Sequence, residues 1–169
     1  MKTVLYLFTI FGVTFLLLTL PVVTESKQVV GWLEKVRVYP GTLIIHAKLD
    51  TGAKNSSLNA SQITEFERNG EQWVRFKVTS RYGKTITCER KVQRVAKIKR
   101  HGAMPQIRFS VRLGICLGSS YKEAEVNLVN RSDFTYQMLI GRSFLKGNVI
   151  IDPSLKYTTK PNCNGISGQ

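Results

Sequence analysis

Residues 63–80 read ITEFERNGEQWVRFKVTS: two runs of alternating polar and apolar residues on either side of Asn69-Gly70. Asn-Gly supplies the two positive-φ positions that a tight hairpin turn needs, and a period of two puts every second side chain on one face of a strand. A helix cannot use that pattern, because its apolar face repeats every 3.6 residues. The same rhythm continues on both sides. VVGWLEKVRVYP, from Val29, ends at the turn signal Pro40-Gly41, and TLIIHAKLD follows. Tyr82-Gly83 leads into KTITCER, then come KVQRVAKIKR and QIRFSVRLGI, joined by residues 100–105. EAEVNLVN, YQMLIG and NVIID complete the set. One short helix is predicted, RSFLKG, stopped by Gly147. The expected fold is all-β, one small domain over residues 29–157, with a polar tail over 158–169 expected to be loose.

The N-terminus is of another kind. Lys2 precedes Val4–Val23, an uncharged apolar stretch of 20 residues. As a helix it would reach roughly 30 Å, enough to cross a bilayer. Residues 1–26 are therefore expected to be a cleaved signal peptide or a retained membrane anchor, with the domain in the periplasm or cell envelope. The chain holds 25 Lys and Arg against 11 Asp and Glu, a net charge of +14. Such a balance favours anionic partners. The basic run from Arg90 to Arg100 carries no interleaved aromatic rings for stacking bases, so an acidic peptide or an anionic envelope surface is expected rather than nucleic acid. A charged edge strand that resists pairing is the plainer reading of the same run.

In a chain this poor in acids, Asp50 follows the buried-looking run Leu43–Leu49 and opens the turn Asp50-Thr51-Gly52-Ala53. A carboxylate there is costly unless hydrogen bonds hold it or chemistry requires it. About ninety residues later stands Met138-Leu139-Ile140-Gly141-Arg142-Ser143-Phe144-Leu145, and then Ile151-Asp152-Pro153-Ser154. These segments, with GWLEKV, WVRF and NRS, resemble the bacterial retropepsin-like aspartic protease family, formerly labelled ATP-dependent zinc proteases and often found beside ATP-grasp ligases. The resemblance implies a single-lobe retropepsin-like barrel with one short C-terminal helix. It implies an aspartic endopeptidase with Asp50 as the catalytic residue. Thr51, Gly52 and Ala53 would shape the turn, and Ile140, Gly141 and Arg142 would brace it. A functional link to an ATP-grasp ligase is also implied.

Hydrolysis by this route needs two carboxylates about 3 Å apart sharing one proton. One Asp-Thr-Gly in a chain too short for two lobes puts the second carboxylate in a second copy, a homodimer with the site on its axis. Asp133 or Asp152 as an in-chain partner is the monomeric alternative. A catalytically silent module that holds an extended peptide is the non-enzymatic one. Retropepsins close a flap over substrate. The candidate is the hairpin of residues 92–113, with His101, Gly102 and Ala103 at its tip, and the loop Arg81–Lys84 competes with it.

Two positions depart from the family pattern. Lys54 stands where retroviral members carry an acid that pairs with the Arg of Gly-Arg. Leu58-Asn59-Ala60 replaces the Leu-His-Ala of bacterial relatives, the histidine behind the zinc label. His46 and His101 are the only histidines, and no cysteine sits at metal-ligand spacing, so no metal is expected. With no phosphate-binding loop or dinucleotide fingerprint, no cofactor is expected either. For Cys88, Cys116 and Cys163, one pair plus a free thiol is open, and three unpaired thiols is the favoured reading.

Overall fold

The computed structural model describes residues 27–41, 43–100 and 103–163. In chain order the elements are β1 (Gln28–Tyr39), β2 (Leu43–Leu49), β3 (Ser56–Asn59), β4 (Ser61–Arg68), β5 (Glu71–Thr79) and β6 (Thr85–Arg100). Then follow β7 (Ala103–Leu117), β8 (Ser120–Val129), β9 (Met138–Ile140), α1 (Arg142–Leu145) and β10 (Val149–Lys156). Strands run in the order β1-β2-β9-β3-β8-β7, and β7 pairs back onto β1, which closes a barrel. β10 adds to β1 in parallel, and β4, β5 and β6 form a wing at the other end. The chain is thus the all-β barrel with one short helix that the alternation and the resemblance predict.

The period-two pattern sets the core. Leu43, Ile45, Ala47 and Leu49 of β2 point inward, as do Val74, Phe76 and Val78 of β5 and Ala124, Val126 and Leu128 of β8. They join Phe144 from α1 in one apolar cluster that continues from the barrel into the wing.

Two local readings change. KTITCER and KVQRVAKIKR are one strand, not two. Thr85–Lys91 pairs with β5 and Val92–Arg100 with β7, with a register irregularity at Val92–Arg94 where the strand passes from wing to barrel. No Gly or Pro interrupts the sequence there, and a bulge bends a strand without ending it. Ser56–Asn59, which has no strand signature, becomes β3 because β8 and β9 flank it and supply its hydrogen-bond partners. The Arg81–Lys84 loop brings the ring of Tyr82 against His46, with centroids 6.2 Å apart.

His46 is buried, and its Nδ1 lies 2.9 Å from the Tyr157 hydroxyl. Burial first, then the charges of Arg81 and Lys35, lowers its pKa. Folded His46 therefore holds fewer protons than unfolded His46 as pH falls through the ordinary histidine range. Its contribution to stability is complete above about pH 6.5 and declines below it. Urea midpoints should drop between pH 7.5 and pH 5, and His46→Gln should flatten that slope. An unchanged slope in the variant would assign the acid sensitivity elsewhere.

Residues 158–163 differ from the expected loose tail. Thr158 and Thr159 bond to the buried carboxylate of Glu34, and Cys163 forms a disulfide with Cys116. Cys88 is free and buried. The acceptor and the sulfur partner lie 124 and 47 residues away in the chain, so composition near the terminus could not reveal either.

Candidate active site

Asp50 leaves the buried end of β2 with its N–H donating to the carbonyl of Ile140 at 2.8 Å. Its Oδ1 accepts from the N–H of Gly52 at 2.9 Å and of Ala53 at 3.2 Å. A Cβ on Gly52 would lie 3.1 Å from that oxygen, so the close approach suits glycine. One carboxylate oxygen is thus fixed by backbone. None of the described residues bonds the other, and Thr51 and Gly52 beside it are exposed. The Thr51 hydroxyl makes no hydrogen bond among the described residues; its carbonyl is the group that is held.

The brace lies beneath. Arg142 N–H donates to the Ala53 carbonyl at 2.9 Å and Ser143 N–H to that of Lys54 at 3.0 Å. Gly141 N–H donates to Ser56 Oγ at 3.2 Å. The Arg142 guanidinium, whose acidic partner is replaced by Lys54, donates from Nη1 to the carbonyls of Thr51 and Gly52 at 2.7 and 2.8 Å. Backbone oxygens of the Asp50 turn therefore take the place of a carboxylate. A Cβ on Gly141 would meet the Asn55 carbonyl oxygen at 2.6 Å and that of Lys54 at 2.8 Å. Those atoms are backbone and cannot swing aside. Gly141→Ala should cost about 2–4 kcal/mol by forcing the turn off its support, in the range of overpacking and strain. A urea melt within about 0.5 kcal/mol of the parent would show that the turn yields freely.

Two arginines that sequence reasoning left without a role stand in the site's surroundings. Arg131 donates to Ser57 Oγ at 3.0 Å and to the Tyr136 carbonyl at 3.3 Å, and lies over the Phe134 ring at 4.3 Å. Its N–H donates to Asn59 Oδ1 at 2.7 Å, so the asparagine that replaces the relatives' histidine anchors this loop. Burial, then the charge of Arg108, lowers the Arg131 pKa, while the charge of Asp50 raises it. Arg108 sits on β7, the return strand of the candidate flap hairpin, and donates to Gln106 Oε1 at 3.2 and 3.0 Å. The one available signal was Arg131 within the quoted NRS segment.

The candidate flap is a hairpin of β6 and β7, with Arg100 paired to Ala103. Of its tip, Ala103 opens β7, while His101 and Gly102 lie outside the described residues, as do residues 1–26. Asp152 spends Oδ1 on Ser154, accepting from its N–H and hydroxyl at 2.8 and 2.6 Å. Asp133 accepts from Ser132 Oγ at 3.3 Å. Neither bonds to Asp50. Among the described residues, no group of three His, Cys, Asp or Glu is placed to hold a metal ion, and no helix is long and apolar enough to cross a membrane.

Comparison with known proteins agrees with this geometry. A solved structure from Legionella pneumophila, of a protein described as having unknown function, is 38% identical, with a TM-score of 0.69. The match covers 80% of this chain and all of that one. Among curated relatives, a probable alpha-L-glutamate ligase of Shewanella pealeana is 32% identical over 79% of this chain. One of Desulfotalea psychrophila is 35% identical over 78%. The matches span 30% and 29% of those relatives' own length. The family model for the retropepsin-like aspartic endopeptidase RimB matches residues 29–162. The barrel, the braced Asp-Thr-Gly turn and that match show that the chain belongs to the RimB-like family.

Proposed function

We propose that the chain is an aspartic endopeptidase whose dyad is built from Asp50 of two copies, and that it cuts acidic peptides. The observation that carries this reading is the Asp50 carboxylate: one oxygen is fixed by two backbone N–H groups and the other is left unbonded on an exposed turn braced by Gly141 and Arg142. In a pair of such groups the ionised carboxylate takes a proton from water, and the protonated one hydrogen-bonds the scissile carbonyl oxygen. The water oxygen adds to the carbonyl carbon. The same pair then delivers a proton to the departing amine.

The surface beside the turn supports pairing with a second copy. A groove of ≈ 410 Å³ is lined by Thr51 and Arg142 of the site and by Leu145, Val149 and Ile151. It borders β10, whose outer edge is unpaired among the described residues and which carries exposed Ile150 and Leu155. The opposite edge, β4, presents Glu65, Glu67 and Arg68, charges that discourage pairing. The two edges thus differ, and the one whose first half, Val149–Ile151, is apolar adjoins the Asp50 turn.

Arg131 and Arg108, with the net charge of +14, support an acidic substrate. The relatives' names, probable alpha-L-glutamate ligases, support a functional link to a glutamate ligase. The Val4–Val23 segment supports a location outside the cytoplasmic membrane.

The test is cleavage by the full chain of acidic and uncharged peptide sets from pH 3 to pH 8. Acidic peptides should be cut faster, and Arg131→Ala should remove that preference while sparing uncharged peptides. No cleavage at any pH by a folded dimer would overturn the peptidase in favour of a silent peptide-binding module.

A further inference from the structure

Past β10 the chain turns sharply at Tyr157, whose φ is 56°. A left-handed backbone is costly for a tyrosine, so something must hold it. The Tyr157 N–H donates to the Leu33 carbonyl at 2.7 Å and its hydroxyl meets His46 Nδ1 at 2.9 Å. Next come Thr158 and Thr159. Each gives an N–H and a hydroxyl to the fully buried Glu34, at 2.9 and 2.6 Å and at 3.1 and 3.2 Å. Beyond them the strap ends in Asn162, which donates to the Gly118 carbonyl at 2.7 Å, and in the buried Cys116–Cys163 disulfide.

The strap therefore continues directly from the strand that carries the proposed dimer edge. Without the disulfide, one backbone hydrogen bond holds residues 160–163 among the described residues. A segment held so weakly opens readily. An opening that spread past Lys160 would reach Thr158 and Thr159, whose four bonds to Glu34 oppose it. If Thr158 and Thr159 leave, Glu34 becomes a buried charge stripped of four of its donors, so water must enter beside β1. β10 pairs with β1 through Gln28, Val29, Val30 and Gly31, with an irregular step before Leu33 and Lys156. Loosening that end frees the segment beyond the irregular step, which carries Leu155.

We propose that closure of the Cys116–Cys163 disulfide is a maturation step that assembles the site: the sealed strap locks β10 in the register in which its free edge receives the second copy. This rests on the dimeric-peptidase reading. The chemistry is thiol–disulfide exchange with a small-molecule or protein disulfide donor. One cysteine thiolate attacks a donor sulfur and forms a mixed disulfide, and the other cysteine's thiolate resolves it. The two cysteines lose two electrons and two protons, and the donor is reduced to two thiols. Before closure the terminal strap is open and Cys163 is accessible. Afterwards both sulfurs are buried, which makes the step one-way in the absence of strong reductant.

The experiment uses the full chain in detergent, prepared with its thiols reduced and measured before and after treatment with oxidised glutathione. Oxidation should tighten the dimer dissociation constant by about tenfold or more. It should also slow amide exchange across residues 149–163 and the facing β1 residues, and leave the other barrel strands unchanged. The Cys116→Ser/Cys163→Ser variant should keep the reduced value in both conditions, and Cys88→Ser should follow the parent. Equal dimer constants in the two states would overturn the proposal. So would a reduced chain without a folded far-ultraviolet signal, since the disulfide would then be a folding staple. Cleavage is scored separately. An oxidised dimer that cuts nothing removes the peptidase reading and leaves the effect on assembly to be judged from the dimer constants.

Discussion

Asp50→Asn should leave a folded chain that cleaves no peptide, a loss of at least about 10³-fold, within the range expected for a positioned acid–base group. The fold should survive because an asparagine Oδ1 can still accept the N–H groups of Gly52 and Ala53, which Asp50 holds at 2.9 and 3.2 Å. What it loses is the proton-carrying second oxygen. The same variant tests the dimer. If each site draws one Asp50 from each copy, a mixed dimer is inactive. A fully exchanged 1:1 mixture of parent and variant should then retain about one quarter of the parental activity, the share of parent–parent pairs. About one half would mean that each chain works alone, and would direct attention to an in-chain acid. Unaltered cleavage by Asp50→Asn would remove this turn from the chemistry.

Glu34→Ala should be the most damaging change away from the site, at about 3–5 kcal/mol, the cost of dismantling a buried, hydrogen-bonded charge. Glu34 is fully buried and accepts from five donors: Gly31 N–H, the N–H and hydroxyl of Thr158, and the N–H and hydroxyl of Thr159. Alanine abandons all of them and releases the strap from β1. Glu34→Gln should cost less, because its amide oxygen keeps part of the acceptor set, although its NH₂ meets donors. Replacing both Thr158 and Thr159 with valine should resemble the alanine variant, since the backbone donors alone cannot satisfy the carboxylate. Urea denaturation of the three proteins gives the order. A Glu34→Ala chain as stable as the parent would mean that water or a shifted strap satisfies these groups at little cost.

The barrel was legible because strand alternation is a local property. Each of β2, β5 and β8 buries the alternate residues that its own pattern marks as apolar. The Asp50 turn was legible through a resemblance, carried by the contiguous segments Asp50-Thr51-Gly52 and Ile140-Gly141-Arg142, whose residue types serve backbone bonds made within and between them. Glu34 left a trace that went unread, a carboxylate at a position in phase with the buried Val36 and Val38. Arg131 left less, because its role comes from Ser57, Asn59 and Tyr136 meeting it in space.

Local order along the chain specified strands, turns and the helix after Gly141, since each depends on side chains a few positions apart, and contiguous motifs marked the Asp50 turn. Tertiary structure decided the rest. It made β6 one strand across wing and barrel, and it turned Ser56–Asn59 into a strand by flanking it on both sides. It chose Cys116 and Cys163 as the bonded pair and left Cys88 buried and free. It drew the polar tail onto Glu34 and gave Arg142 two backbone carbonyls in place of an acid. The physical reason is common to all of these. Each is a pairing of groups far apart in sequence, and only closure of the barrel fixes which of many available donors, acceptors and sulfurs come within bonding distance.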